Sequence, residues 1–326
     1  MLPLSPISAA ALREWALHFP AERDPARLPE LIARDRSDAL SASDWADPAA
    51  RAVLEKGLPE ILRAKRAPFS RIYYGTEFCE HLIPGPERLR RILGAVRGLG
   101  SLEVSLLTPY VTDRGLERLR PLLATAAAET PGAEVVVNDW GVLRMSRREF
   151  PELTPVLGRL MNKMMRDPRA APFYAEGPED GFLALAQSSA TLPLYRRFLR
   201  GLGVRRIELD SLYQGIELDL KRSGLRSTIY LPFGYVASGR ICLSGSLHLP
   251  REDKFRFDLP CRHECQDYAV ELKNSRSPYL ESRDLSLFQR GNTVFYPQEG
   301  KYLDQALGSL DRIGIDRVVL ELDVPM

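Results

Sequence analysis

From Pro68 onward, apolar runs of strand length alternate with stretches of helical spacing, separated by polar turns that carry glycine and proline. Arg71-Ile72-Tyr73-Tyr74 predicts a short strand, followed by a helix over Pro86–Val96 with proline in its first turn. Leu102–Thr108 predicts a strand and Arg114–Ala128 a helix. Ala133–Asn138, with Val135-Val136-Val137 at its centre, predicts a third strand. A helix over Leu153–Leu160 and a weak strand over Met161–Met165 come next. The polar, proline-rich interval Arg166–Asp180 breaks the rhythm and is long for a connection, which suggests an insertion over an active face. The helix Leu192–Leu202, the strands Val204–Leu209, Thr228–Phe233 and Thr293–Tyr296, the helix Lys301–Ile313 and the strand Val318–Leu322 complete the series.

About eight strands alternating with helices over roughly 250 residues predict an α/β protein of the TIM-like β/α barrel type rather than an open doubly wound sheet. No GxGxxG follows the first strand of the series, which argues against a dinucleotide fold. Residues 1–68 read differently. They are rich in Ala, Arg, Asp and Pro, with helical patterns at Leu28–Ala33 and Ala49–Lys65 and apolar positions at Val53, Leu54, Leu58, Ile61 and Leu62. We expect a helical N-terminal extension over 1–68 packed on a barrel over 69–326.

With 326 residues the chain can bury a sizeable core, and 44% hydrophobic and 27% charged residues are the proportions of a soluble globular protein. A net charge of +2 makes no global case for nucleic acid or an anionic membrane. Arginine clusters at Arg88–Arg91, Arg144–Arg148 and Arg196–Arg206 are interleaved with apolar residues. Solvated helix faces account for them, and an RNA-binding role stays open. No apolar run is long enough to cross a bilayer, and Met1–Pro20 lacks the basic-then-apolar pattern of a secretory signal. A cytoplasmic, reducing location is expected, where four cysteines serve metal binding or redox work more often than disulfides.

Three of the four cysteines, Cys242, Cys261 and Cys265, fall between Ile229 and Cys265, and Cys79 lies just after the Arg71–Gly75 run. In a β/α barrel the C-terminal strand ends carry the active groups. Cys79 and Cys242 would come from rim loops, while Cys261 and Cys265, four apart, would face one way if they share a helical turn. Four thiolates suit an iron–sulfur cluster or zinc. Zinc sites favour tight pairs, and only one close pair exists here, so the spacing leans toward a 4Fe–4S cluster. The bland alternative is buried free cysteine, which is weak for Cys261 and Cys265 among Arg262, His263, Glu264 and Asp267, and real for Cys242 between Ile241 and Leu243.

Several segments resemble peptidase family U-thirty-two, the collagenase-like peptidases, and within it the UbiU/UbiV iron–sulfur branch. These are Val136-Val137-Asn138-Asp139-Trp140-Gly141-Val142-Leu143, Gly158-Arg159-Leu160-Met161-Asn162-Lys163, Ser238-Gly239-Arg240 before a cysteine, the Cys-x-x-x-Cys at Cys261 and Cys265, and Gly314-Ile315-Asp316-Arg317-Val318-Val319-Leu320. The resemblance covers about residues 70–326. It implies a barrel with an oxygen-sensitive 4Fe–4S cluster on Cys79, Cys242, Cys261 and Cys265, in the order found in UbiV. It implies oxygen-independent hydroxylation with prephenate as oxygen donor, an acceptor it does not name, and a homologous partner subunit as one way of working. One departure is that Ile241 separates the Gly-Arg pair from Cys242, where the family places cysteine directly. In a regular strand that slip turns the side chain to the other face, so a bulge or loop must re-aim Cys242 or the ligand set differs.

A dicarboxylate donor calls for an arginine fork, and Arg240 beside the ligand is the first candidate, against a plain surface ion pair. Asn138 and Asp139 join it as catalytic candidates because family match and strand-end position agree. Glu77, Thr108, Tyr110 and Asp210 also sit at strand ends, where turn or cap duty is the commoner role. His81 and His263 lie near cysteines and read as loop histidines. The family name brings a peptidase as rival, although the chain has neither HExxH nor GxSxG. A non-catalytic cluster-bearing subunit is the third possibility.

Overall fold

The computed structural model describes residues 14–44, 48–65, 67–170, 179–256, 259–272 and 286–326. Eight parallel strands close into a barrel in the order β1-β12-β7-β6-β5-β4-β3-β2. They are β1 (Glu14–Pro20), β2 (Arg71–Gly75), β3 (Glu103–Leu107), β4 (Glu134–Val137), β5 (Thr154–Leu157), β6 (Arg206–Asp210), β7 (Arg226–Leu231) and β12 (Arg317–Glu321). Helices α1 (Leu28–Arg36), α2 (Pro48–Ala64), α3 (Pro86–Gly98), α4 (Asp113–Glu129), α5 (Trp140–Glu149), α6 (Glu179–Leu185), α7 (Pro193–Gly201) and α10 (Lys301–Ile313) accompany them. Two one-turn helices, α8 (Leu243–Ser246) and α9 (Glu264–Asp267), belong to the connection between β7 and β12. No helix among the described residues is long and apolar enough to cross a membrane.

The barrel expected from the alternation is therefore present, with two of its strands in other places. The helices expected before residue 68 are there as α1 and α2, but the same segment supplies β1, which pairs with both β2 and β12. A boundary at residue 68 thus cuts through the barrel. Trp15, Leu17 and Phe19 pack outward under the helices while Ala16 and His18 face inward, the period-two arrangement of a barrel strand. Downstream, the expected helix over Leu153–Leu160 is a turn followed by β5, and Met161–Met165 is loop after a short turn at Arg159–Met161. The helix of that unit lies earlier, at α5, started by Asp139, whose carboxylate accepts from the Gly141 and Val142 amides. Of the interval Arg166–Asp180, residues 171–178 lie outside the described residues, as do residues 1–13.

Thr293–Tyr296 is a strand, but not of the barrel. It belongs to a four-stranded antiparallel sheet, ordered β8-β11-β10-β9, formed by β8 (Phe233–Ser238), β9 (Val270–Glu271), β10 (Phe288–Arg290) and β11 (Thr293–Pro297). This sheet sits over the C-terminal mouth of the barrel. Phe78, from the loop after β2, meets Tyr235 and Phe295 of the sheet edge-on, each at 5.2 Å between ring centres. Burying such rings contributes on the order of 2 kcal/mol each, which fastens cap to barrel.

The barrel interior is apolar only at its waist, where Ala16, Tyr73, Leu107, Val136, Val156, Tyr230 and Val319 pack together. The N-terminal end is charged: Glu14 bridges Arg71 and Arg317 at 2.6 Å each, Glu134 binds Arg317 at 2.5 Å, and Asp316 binds Arg206 at 2.7 Å. The C-terminal end holds Arg159, fully buried, against Glu77 at 2.5 Å, Glu321 at 2.8 Å and Asp210 at 3.2 Å. Arg166 takes the second oxygen of Asp210 at 2.6 Å. The mouth is thus plugged by ion pairs rather than open to substrate.

Candidate functional site

Glu77, Phe78 and Cys79 leave β2 in succession, and each is fixed differently. Glu77 is clamped by Arg159, Phe78 is wedged among the cap's rings, and Cys79 emerges beyond them at the head of the short turn Glu80–Leu82. On the cap side, β8 ends at Ser238, so Gly239, Arg240 and Ile241 run free of strand alternation before Cys242. Strand alternation therefore does not set the direction of the Cys242 side chain. Cys242 then starts α8, its sulfur accepting from the Gly245 amide at 3.3 Å.

Cys261 and Cys265 do not share a helical turn. His263 between them adopts a left-handed conformation at φ +61°, uncommon outside glycine, and only Cys265 lies in α9. All four thiols nevertheless line one narrow cleft, together with His81, Arg240, Gly245, Glu264 and Asn292. Burial pushes the Cys79 thiol up to about 12, with Cys261 and Cys242 adding to the shift. Cys265 is also pushed to about 12, by burial first and then by the other three cysteines. Cys242 is raised by burial and, more weakly, by Cys261. Cys79, Cys242 and Cys265 are thus each close enough to other thiols of the set for a thiolate on one to disfavour a thiolate on the next. Among the described residues no group of three or more His, Cys, Asp and Glu side chains is arranged to hold a metal ion.

The residue that gathers these loops was not visible as a candidate in the sequence. Gly291-Asn292 is the two-residue tip of the β10–β11 hairpin, a glycine-first turn with Gly291 at φ +56°. The Asn292 amide donates to the Phe78 and Gly239 carbonyls, each at 2.6 Å, one beside Cys79 and the other in the loop to Cys242. The Gly291 carbonyl accepts from the Ser244 amide at 3.3 Å, and Arg290 donates to the Cys265 carbonyl at 2.8 Å. A Cβ on Gly291 would lie 3.3 Å from the Cys265 Cβ and far inside Met326. One hairpin tip thus touches all three cysteine-bearing stretches. A Gly-Asn step before the apolar run at Thr293 was the available signal.

Arg240 is exposed and lies over the Tyr110 ring, 5.6 Å from its centre, while donating to the Val111 carbonyl at 3.2 Å. It lines both the cysteine cleft and an adjoining cleft of about 360 Å³ walled by Phe78, Cys79, Glu80, His81, Tyr110, Thr112 and Asn292. Glu80 is held by the Thr112 amide at 2.7 Å and by the Thr112 hydroxyl, so its carboxylate is committed to the rim. Burial raises Tyr110, against hydrogen bonds from Ser238 and Asn292, and its phenol stays protonated at neutral pH. Asn138 and Asp139 stand apart from both clefts. Asn138 spans the Thr108 carbonyl and the Leu160 amide at 3.0 Å each, and Asp139 caps α5. Thr108 bonds the Val136 carbonyl and Asp210 serves the two buried arginines. His263 contributes backbone geometry at the cysteines, and His81 lines both clefts.

Compared with known proteins, the chain matches no family model, no curated protein and no solved structure.

Proposed function

We propose that Cys79, Cys242, Cys261 and Cys265 hold a 4Fe–4S cluster, and that the chain is an oxygen-independent hydroxylase, or a close redox relative, of the kind its resemblance to the UbiU/UbiV branch implies. The observation that carries the reading is the convergence of four thiols, from three separate stretches of chain, on one cleft. Burial raises the Cys79, Cys242 and Cys265 thiols, so thiolates at these positions call for a compensating cation, which a bound metal group would provide. Zinc sites favour tight cysteine pairs, and Cys261 and Cys265 are the one close pair here, so the spacing along the chain leans toward the cluster.

When bound, such a cluster supplies a redox centre or a Lewis acid tuned by burial and by hydrogen bonds to its sulfurs. The chain's own residues do the rest. Arg240 offers its fork to a carboxylate in the adjoining cleft, with Tyr110 beneath it as a flat apolar floor. Asn292 and Gly291 hold the sulfur-bearing loops in register, and the charged plug under the cap keeps the barrel interior out of the reaction. Asn138 and Asp139, expected as catalytic, act in this reading as supports of the neighbouring rim.

Iron and sulfide analysis after anaerobic purification tests the assignment. About four irons per chain are expected, lost in each single Cys→Ala variant. A full complement in Cys242→Ala would show the ligand set to be wrong. Anaerobic turnover of prephenate, weakened in Arg240→Gln with iron content unchanged, tests the role of the cleft.

A further inference from the structure

The outer surface of the barrel carries an apolar and cationic face that the cysteine chemistry does not use. On α5, Trp140, Arg144, Arg147 and Arg148 recur at helical spacing and lie on one side. Trp140 is 49% exposed and the three arginines are exposed. On α7, Leu194, Arg197 and Phe198 share a face in the same way, with Leu194 70% and Phe198 51% exposed, and Leu192 opens the helix. Trp140 and Phe198 meet edge-on at 5.8 Å and Tyr195 stacks on Phe198 at 6.4 Å, so the two helix faces form one continuous surface.

Its charge is one-sided. Glu149 is the only acidic residue within α5 or α7, and it is bound by Arg120 at 2.8 Å. Arg144, Arg147 and Arg197 form no salt bridge among the described residues and Arg148 acts only on Glu149, while Arg196 and Arg200 donate to the Ala190 and Ser223 carbonyls. A chain of net charge +2 has thus concentrated arginines, most of them without a salt bridge among the described residues, around a tryptophan and a phenylalanine. Tryptophan and arginine are the residues that dominate the energetics of protein interfaces. Both helices begin at the C-terminal rim, after β4 and β5, the rim that also bears Cys79 after β2 and Tyr110 after β3.

We infer that the α5–α7 face docks a partner protein whose contact surface is an apolar ridge flanked by Asp and Glu. Exposed leucines beside the rings favour this over RNA, since bases stack on aromatic and guanidinium planes and gain nothing from Leu192 or Leu194. Leu192, Leu194 and the Trp140–Phe198 pair would fill the apolar centre, and the arginines would form a charged rim that speeds encounter and sets orientation.

The test places p-benzoylphenylalanine at position 198 of the full chain in its native cells, with the same group at exposed position 56 on α2, across the barrel, as control. A discrete protein adduct from position 198 and not from position 56 is expected. That protein, purified, should bind the chain at least tenfold more weakly when Trp140→Ser and Phe198→Ser are combined, and likewise with Arg144→Glu and Arg197→Glu combined. Reversing acidic residues on the partner should restore binding to the latter variant. Circular dichroism and urea unfolding check that both variants fold. Equal labelling at the two positions, an adduct removed by ribonuclease, an adduct only with a second copy of this chain, or partner binding unchanged in the variants would each overturn the inference.

Discussion

The side-chain amide of Asn292 lies 2.6 Å from the carbonyl of Phe78, a residue 214 positions away in the chain and adjacent to Cys79. It lies the same distance from the Gly239 carbonyl, so a single side chain ties the barrel rim to the cap loop that leads to Cys242. Asn292→Ala leaves the buried Phe78 carbonyl without that donor, at a cost of about 1–3 kcal/mol, and releases the part-buried Gly239 carbonyl as well. We expect a lowered urea midpoint and, after anaerobic purification, less iron per chain. Asn292→Asp should be worse than alanine, because its carboxylate faces two carbonyl oxygens. Equal iron content in all three proteins would show that the hairpin tip does not organise the cysteines.

Arg159 is the keystone beneath that rim. It neutralises Glu77, Glu321 and Asp210 and lies 3.7 Å from the centre of the Tyr230 ring. Burial, aided by Glu77 and Asp210, raises Glu321 well above its usual range against the pull of Arg159. Arg159→Met should destabilise the fold by about 3–5 kcal/mol, since it strands a buried carboxylate. Adding Glu77→Gln should recover part of the loss, and a double-mutant cycle by urea unfolding measures how much.

His18 and Glu208 give the barrel opposite pH responses. Burial, with Arg159 and Arg23 adding to it, lowers His18 from 6.5 to about 3. Between those values the unfolded chain binds a proton that the folded chain refuses, so this residue makes stability fall as pH drops below 6.5. Glu208 is raised from 4.5 to about 7, chiefly by burial. The folded chain keeps its proton where the unfolded chain releases it, so its contribution declines as pH rises from 4.5 to 7. Compared with wild type, His18→Leu should flatten the acid side and Glu208→Gln the neutral side. Each difference should approach a slope of about 1.4 kcal/mol per pH unit within its window. Urea midpoints between pH 4 and pH 8 provide the measurement.

The alternation of strand and helix was readable wherever an apolar run stood alone, as at Val135-Val136-Val137 or Val318–Leu320. It misled where polar positions were part of the strand. Glu14-Trp15-Ala16-Leu17-His18-Phe19 alternates with period two, yet its inward residues are a glutamate that binds two arginines and a buried histidine, and its surroundings are helical in composition. Proline at position 155 and the short length of β5 disguised that strand, and the neighbouring methionines drew the prediction a few residues too far. The cysteines were legible as a set because their residue type is rare here. The gathering role of Asn292 was not, since it rests on two carbonyls more than fifty positions away, which local pattern cannot encode.

The seam between β1 and β12 joins the earliest barrel strand to the latest. During synthesis on the ribosome, the other six pairings of the ring can form before Arg317–Glu321 emerges, but the two that this strand makes, with β1 and with β7, must wait. Until then both lips of an unfinished sheet stay open, and each is a template for wrong pairing with another nascent copy. A chain released before Arg317 should thus aggregate rather than persist as a smaller fold, and assembly of any inorganic group on the cysteines becomes an event that follows translation.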